Sequence, residues 1–302
     1  MRVTMGQSLR NLQKGASSAA SRIALLTQQL STGRLLTRPS DNPVAIPNVL
    51  LSRAAVDTAK VRQDAVSAAK QWVQASDDTL GDVSAALQRC CDIGILAHRV
   101  AAGETVNASL AAEVRDLREH LIAVGNTQQS GKYLFAGQDT RTKPFEVAAD
   151  GTVTYMGDSG DLLVSVAAGR SLSYNVTGDR VFNMNGATDA GLPDVFAAME
   201  NLAAAIESGS VGLTDAAATN IDKLLGLVLD EHAATGVAGQ RVEWAASHIA
   251  DEVLRCQSYL SEVEDTDLVG AVSDYRTAEV AYQAVIYATN RVSQLPTLFE
   301  LM

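Results

Sequence analysis

The sequence predicts a mainly α fold: an elongated bundle of long helices with paired N- and C-terminal helices and a small β-rich inserted domain. Three observations predict it. The 302 residues are rich in Ala, with 5% aromatic residues and six Pro, a composition that favours long packed helices over an aromatic-centred core. Apolar residues recur at alternating steps of three and four along both ends of the chain. After Gly137 the period changes to two, and Gly/Asp pairs recur at short intervals.

The first element is carried by Met5, Leu9, Leu12, Ala16, Ala19, Ile23, Leu26 and Leu30, an unbroken heptad seam on a segment without Pro. Ser31-Thr32-Gly33 stops it. A loop ending in Arg38-Pro39-Ser40-Asp41-Asn42-Pro43 leads to a second helix, with Ser40 or Asp41 as its cap and Pro43 and Pro47 confined to its first turns. That helix runs to about Val100 on the seam Val73, Ser76, Leu80, Val83, Leu87, Cys90 and Gly94. A third, capped at Ser109, uses Leu110, Val114, Leu117, Leu121 and Val124 and closes at Gly125-Asn126.

Strands are expected at 145–147, 152–156, 162–166, 172–176 and 180–182, around a thin core of Phe145, Tyr155, Val164, Val166 and Val181. Helix resumes at Pro193-Asp194, with Val195, Met199, Leu202 and Ile206 on one face. A further helix spans about Thr214–Ala233, and Gly236 and Gly239 punctuate the chain before the seam Val242, Ala246, Ile249, Val253, Cys256, Leu260 and Val263. Glu264-Asp265-Thr266-Asp267 marks a joint. The last helix carries Leu268, Ala271, Tyr275, Ala278, Tyr282, Val285, Thr289 and Val292, and Pro296 stops it.

The two ends attract one another. Residues 1–40 carry Arg2, Arg10, Lys14, Arg22, Arg34 and Arg38 and no acid, whereas residues 266–302 carry Asp267, Asp274, Glu279 and Glu300 against Arg276 and Arg291. A two-helix layer joined to its body by loops is too thin to be stable alone. The terminal seams are therefore assigned to a subunit interface, borne by Met5, Leu9, Leu12, Ile23, Leu26, Leu30, Leu268, Tyr275, Tyr282, Val285 and Val292. The two internal seams read as intramolecular core.

Composition excludes several classes of function. A net charge of −11 argues against nucleic acid as the main partner. No apolar run approaches the roughly 20 residues that cross a bilayer, so no membrane is implied. The basic N-terminus has no continuous apolar stretch before a small-residue cleavage site, so no cleaved secretory signal is expected. Cys90, Cys91 and Cys256 are an odd set on helical core positions, which reads as small buried hydrophobes. There is no phosphate loop, dinucleotide fingerprint or nucleophile elbow.

His248 and Glu252, or Cys91 and His98, share helix faces but lack further ligands nearby, and they read as solvated helix positions. Asp158-Ser159-Gly160-Asp161 and Asn183-Met184-Asn185-Gly186 have ion-loop composition without an EF-hand register, and read as turns. The carboxylates of Asp77-Asp78 and Glu264-Asp265 are placed at helix starts, where the dipole favours them. No catalytic residue, metal or cofactor is expected.

Four stretches carry a family resemblance. Gln28-Gln29-Leu30-Ser31-Thr32-Gly33-Arg34 with Pro39-Ser40-Asp41-Asn42-Pro43 is similar to a QLSTGKR…PSDDP pattern, with Asn42 replacing an Asp and Pro47 additional. Asp78-Thr79-Leu80 through Leu87-Gln88-Arg89 to Ala101-Ala102-Gly103 is similar to a helix ending in QAANG. Gly131-Lys132-Tyr133-Leu134-Phe135-Ala136-Gly137 with Pro144-Phe145 resembles GRYIFAG…PF, and Glu264-Asp265-Thr266-Asp267 resembles IEDTD.

Together they resemble the flagellin superfamily and, within it, the hook–filament junction family. The resemblance covers roughly 1–145 and 240–302 and little of the β insert. It implies a terminal polymerisation layer of 1–40 and 266–302, a helical bundle of 41–137 and 193–265, and a β-rich outer domain of 138–192. It further implies a ring of copies between a hook-side junction protein and flagellin. Uncleaved export to the extracellular flagellum, with a chaperone holding the C-terminal segment beforehand, is implied too. A minor flagellin, or an intracellular helical scaffold or sensor domain, stays as an alternative.

Overall fold

The computed structural model describes residues 5–36, 42–99, 104–167 and 169–293. Its fold is mainly α. Helices α1 (Met5–Thr32), α2 (Ile46–Arg99) and α3 (Glu104–Gly125) precede strands β1 (Gln128–Gln129), β2 (Lys132–Tyr133), β3 (Phe145–Val147), β4 (Val153–Tyr155), β5 (Leu163–Ala167) and β6 (Arg170–Ser173). A short α4 (Gly178–Val181), a 3₁₀ turn (Met184–Gly186), α5 (Val195–Glu207), α6 (Val211–Glu264) and α7 (Leu268–Ser293) follow. By packing the chain divides into Met1–Ala59 with Glu252–Met302, and Lys60–Asp251.

In the first unit α1 packs along α7. The partners run antiparallel: Gly15 faces Val285, Arg22 pairs with Asp274, and Gly33 meets Thr266. Gly15 gives a close approach, since a β-carbon there would lie 3.8 Å from Val285 Cγ2.

The second unit holds the larger core. Every position of the α2 seam from Val73 to Gly94 is buried. It packs with Leu110, Val114 and Leu121 of α3, Met199, Leu202 and Ile206 of α5, and Ile221, Leu225 and Val228 of α6. Gly94 permits close approach to α6, because a β-carbon there would lie 3.0 Å from that of Ala218.

The β stretch makes three separate two-stranded antiparallel ribbons rather than one sheet. Its core is aromatic and shared with the helices. Phe182 stacks on Phe196 at 5.1 Å, Phe145 meets Phe182 edge-on at 4.8 Å, and Phe135 meets Phe182 at 6.0 Å. A low aromatic content thus hides one aromatic knot. Gly125 and Gly178 admit it, since β-carbons there would approach Phe145 to 2.8 and 2.7 Å.

Leu134, Phe135 and Ala136 are fully buried, so the Tyr-Leu-Phe-Ala-Gly stretch is core. Asn126 clamps the ring-bearing segment: the Phe145 amide donates to Asn126 Oδ1 at 3.0 Å, and Asn126 Nδ2 donates to the Phe145 carbonyl at 3.1 Å. Tyr155 donates its hydroxyl to the Phe135 carbonyl at 2.7 Å.

Several element boundaries differ from expectation, each for a physical reason. The α6 helix runs through Gly236 and Gly239, because packing on neighbouring side chains outweighs a propensity deficit of about 1 kcal/mol per Gly. At Gly239 the close contact with Val73 favours the missing side chain. The expected strand at 180–182 is instead α4 and its cap, folded in so that Val181 and Phe182 enter the knot. α3 starts at Glu104, not Ser109. Pro47 is in the first turn of α2, where its missing N–H costs no helical bond. Ser40, Asp41, Ala101–Gly103 and Pro296 lie outside the described residues.

Candidate functional site

The seams of α1 and α7 meet one another. Leu12, Ala16, Ala19, Ile23 and Leu30 are half-buried and Leu26 is buried; opposite them Ala271 and Ala278 are buried and Tyr275, Tyr282 and Val285 are half-buried. Leu268 stays 53% exposed, at the start of α7. Met5, Leu9 and Val292 belong to the helices, and their side chains lie outside the described residues. An exposed ion pair, Arg22 to Asp274 at 3.0 Å, crosses the seam and contributes about 0–1 kcal/mol.

The face of α7 turned away from the seam carries exposed apolar residues interspersed with Arg276 and Gln283. At 3.6 residues per turn, Val269, Val272, Val280 and Tyr287 fall on one line, roughly opposite Ala271, Tyr275, Ala278 and Tyr282. They are 83, 41, 66 and 69% exposed. A periodicity search centred on the strongest seam passes over this second stripe, although its spacing of 3, 8 and 7 is readable.

Where the terminal helices join the chain, two loops are tied together. Gly33 ends α1 in the left-handed region (φ +69°), which costs Gly little, and its amide donates to the Gln29 carbonyl at 2.8 Å. The Thr266 amide then donates to the Gly33 carbonyl at 2.9 Å, and the Leu35 amide to the Glu264 carbonyl at 2.8 Å. These bonds flank an antiparallel bridge between Arg34 and Asp265. Asp267 caps α7 by accepting from the amides of Val269 and Gly270 at 3.0 and 3.2 Å.

Glu264 is the centre of this joint. Its side chain is 3% exposed. Arg53 grips it bidentately, at 3.0 and 2.8 Å, and Arg34 Nε lies 2.6 Å away. The hydrogen bonds from Arg53 hold the carboxyl below the usual carboxylate range against the opposing effect of burial, with the Arg53 and Arg34 charges adding to them. The Gln-Gln-Leu-Ser-Thr-Gly-Arg and Glu-Asp-Thr-Asp stretches are therefore two halves of one clasp. Placing Glu264 at a helix start is corrected here: it is the last residue of α6, held by side-chain partners rather than by a helix dipole.

Asp77-Asp78, also expected at a helix start, lie instead in the middle of α2, where Asp77 Oδ1 is 3.1 Å from His232 Nε2. Asp158 accepts from the amides of Gln138 and Gly160 at 2.7 and 2.8 Å, organising a turn. Asn183 is buried with φ +49°; it accepts from the amides of Thr188 and Asp189 and donates to the carbonyls of Asp189 and Leu192. Burial, its largest influence, pushes the Cys90 thiol up to about 12 and the Cys91 thiol to about 11. Among the described residues no group of three or more His, Cys, Asp or Glu could hold a metal ion, and no helix is long and apolar enough to cross a membrane. The geometry offers apolar association and a charged clasp.

Residues 4–140 match the bacterial flagellin N-terminal helical region. Flagellar hook-associated protein 3 of Escherichia coli is 29% identical over 293 residues, covering 91% of each chain. Two solved structures from Legionella pneumophila share the fold. One, a flagellar hook-associated protein 3, has a TM-score of 0.63 at 17% identity and covers 71% of this chain and 98% of that one. The other, a flagellar junction protein, has a TM-score of 0.57 at 16% identity and covers 65% and 99%. Residues 4–140 thus carry a flagellin-type N-terminal helical region, and the chain is similar to flagellar hook-associated protein 3 along nearly its whole length.

Proposed function

We propose that this chain is a structural adaptor of the bacterial flagellum. It assembles as a ring through its terminal helices, between a hook-side junction protein and flagellin. The observation that carries the reading is the set of large apolar side chains, Val269, Val272, Val280 and Tyr287, that α7 leaves exposed outside its seam with α1. One face is covered by α1, and the face bearing these residues is left for neighbours. Burying a large apolar side chain contributes about 1.5–3 kcal/mol, so a few of these, repeated round a ring, suffice for assembly.

The residues assigned to the subunit interface act in two ways on this reading. Leu12, Ile23, Leu26, Leu30, Tyr275, Tyr282 and Val285 build the pair and shape its surface. Leu268 joins the exposed rim. Met5, Leu9 and Val292 extend the same seam. The terminal layer of 1–40 and 266–302, the bundle of 41–137 and 193–265 and the outer domain of 138–192 remain its domain scheme. Uncleaved export, with a chaperone on the C-terminal segment, delivers the chain to the extracellular flagellum. Similarity to hook-associated protein 3 along nearly the full length supports the adaptor role, which needs no catalysis.

The test uses a flagellated cell whose sole copy carries Val280→Glu or Leu26→Glu. The first leaves the α1/α7 seam intact and charges the outer stripe; the second disrupts the seam. Both should abolish filament attachment and swimming, while the purified Val280→Glu chain folds normally. Normal swimming by both would sink the reading. Long filaments formed by the purified chain alone would favour a minor flagellin.

A further inference from the structure

The second unit carries a cleft that packing does not explain. It lies between the β5–β6 ribbon and α6, has a volume of about 480 Å³, and is lined by Val166, Arg170, Leu172, Arg241, Trp244 and His248. That volume is within the ordinary range for binding sites, about 300–1,000 Å³.

Three features point to a ligand. The first is a β-bulge. Ser165 pairs with Ser171 and Ala167 with Arg170, leaving Val166 as an extra residue. Bulges re-aim side chains, and here the consecutive residues Val166 and Ala167 both line the cleft. The second is Trp244, 69% exposed at the cleft and tilted against His248 at 6.4 Å. A Trp left in water forgoes the burial that makes this residue a favoured interface anchor. The third is charge. Arg170 and Arg241 line the cleft, no carboxylate does, and neither arginine makes an ion pair among the described residues. In a chain of net charge −11, a cleft with two unpaired guanidinium groups and no acid is a local reversal of sign.

We propose that this cleft binds an acidic peptide segment of a partner protein, with an aliphatic or aromatic side chain seated against Trp244, Val166 and Leu172. Its carboxylates meet Arg170 and Arg241. Guanidinium groups suit this task, being always charged and able to fork onto a carboxylate. The cleft is built wholly from residues of the second unit and uses none of the terminal helices, so the proposal stands or falls independently of the ring.

The experiment titrates the full chain with the capped peptide Glu-Leu-Glu-Phe-Glu and its control Gln-Leu-Gln-Phe-Gln. It follows the two indole N–H resonances by nuclear magnetic resonance. The acidic peptide should shift the Trp244 signal and leave Trp72 unmoved, and binding should weaken as salt is raised. Arg170→Glu combined with Arg241→Glu should weaken it at least tenfold, as should Trp244→Ala. Both arginines and the Trp are exposed, so these variants should keep the parental melting temperature. Equal binding of the Gln peptide, or no response at millimolar peptide, overturns the proposal. Dimerisation of the chain alone that moves the Trp244 signal also overturns it, by making the occupant a second copy.

Discussion

Replacing Arg53 with Met tests the clasp directly. The substitution keeps much of the apolar stem and removes both hydrogen bonds to Glu264, at 3.0 and 2.8 Å. It leaves a 3% exposed carboxylate with Arg34 alone. Hydrogen bonds to a charged group contribute about 1.5–3 kcal/mol. Stripping a fully buried pair costs about 3–5 kcal/mol. The lower range applies, because the Arg53 and Arg34 side chains are 40 and 53% exposed and water reaches the site from their side.

The readout is hydrogen exchange at the amides of Leu35 and Thr266, which close the loop-to-loop bridge. Since about 1.4 kcal/mol is tenfold, Arg53→Met should speed both by about 10–100-fold. Amides in the aromatic knot should be unaffected. The sign of the pH effect follows from the lowered carboxyl. Glu264 stabilises the folded clasp fully above its ordinary value of 4.5, and the contribution fades as pH falls through the lower folded value. The parent's protection at these amides should therefore fall on acidification below about pH 4.5, and that acid sensitivity should shrink in Arg53→Met. Unchanged protection of Leu35 and Thr266 in the variant would refute the reasoning.

Three further outcomes are expected. Gly125→Ala, whose new methyl would lie 2.8 Å from Phe145 Cδ2, should destabilise the second unit by about 1–3 kcal/mol, read by thermal or urea unfolding. Asn183→Ala removes the side chain that joins the loop after α4 to the start of α5. It should cost about 1–3 kcal/mol and speed proteolysis between residues 183 and 193. Cys90, fully buried with its thiol raised to about 12, should resist iodoacetamide until the chain unfolds, while the half-buried Cys256 reacts first; mass spectrometry of the alkylated peptides decides.

The helical plan was legible because it rests on local periodicity. The seam Val73 to Gly94 is buried position by position, and the two terminal seams face one another as their spacing implies. What escaped the sequence depends on residues far apart. Glu264 reads as one acid among four polar residues; only the fold brings Arg34 and Arg53 to it. The acid-free N-terminal segment was the available hint, since its arginines needed acids from elsewhere.

The aromatic knot escaped for the same reason, with Phe135, Phe145, Phe182 and Phe196 spread over some 60 residues. Gly236 and Gly239 misled because a glycine's local preference is weak against a helix packed along its length. The outer stripe of α7 was hidden by a stronger pattern on the same helix. A residue-by-residue reading of both faces, rather than of the dominant one, would have found it.

The pairing of α1 with α7 sets a timetable. Arg22 and Asp274 are 252 residues apart, so α1 is made long before the partner it packs against. At roughly 5–20 residues per second of synthesis, the wait is on the order of 13–50 s. Throughout it, the chain's leading end displays Leu12, Ile23, Leu26 and Leu30 as an open sticky strip. Its six positive charges without an acid are then a practical asset: like charges keep such strips from finding one another until the far end arrives.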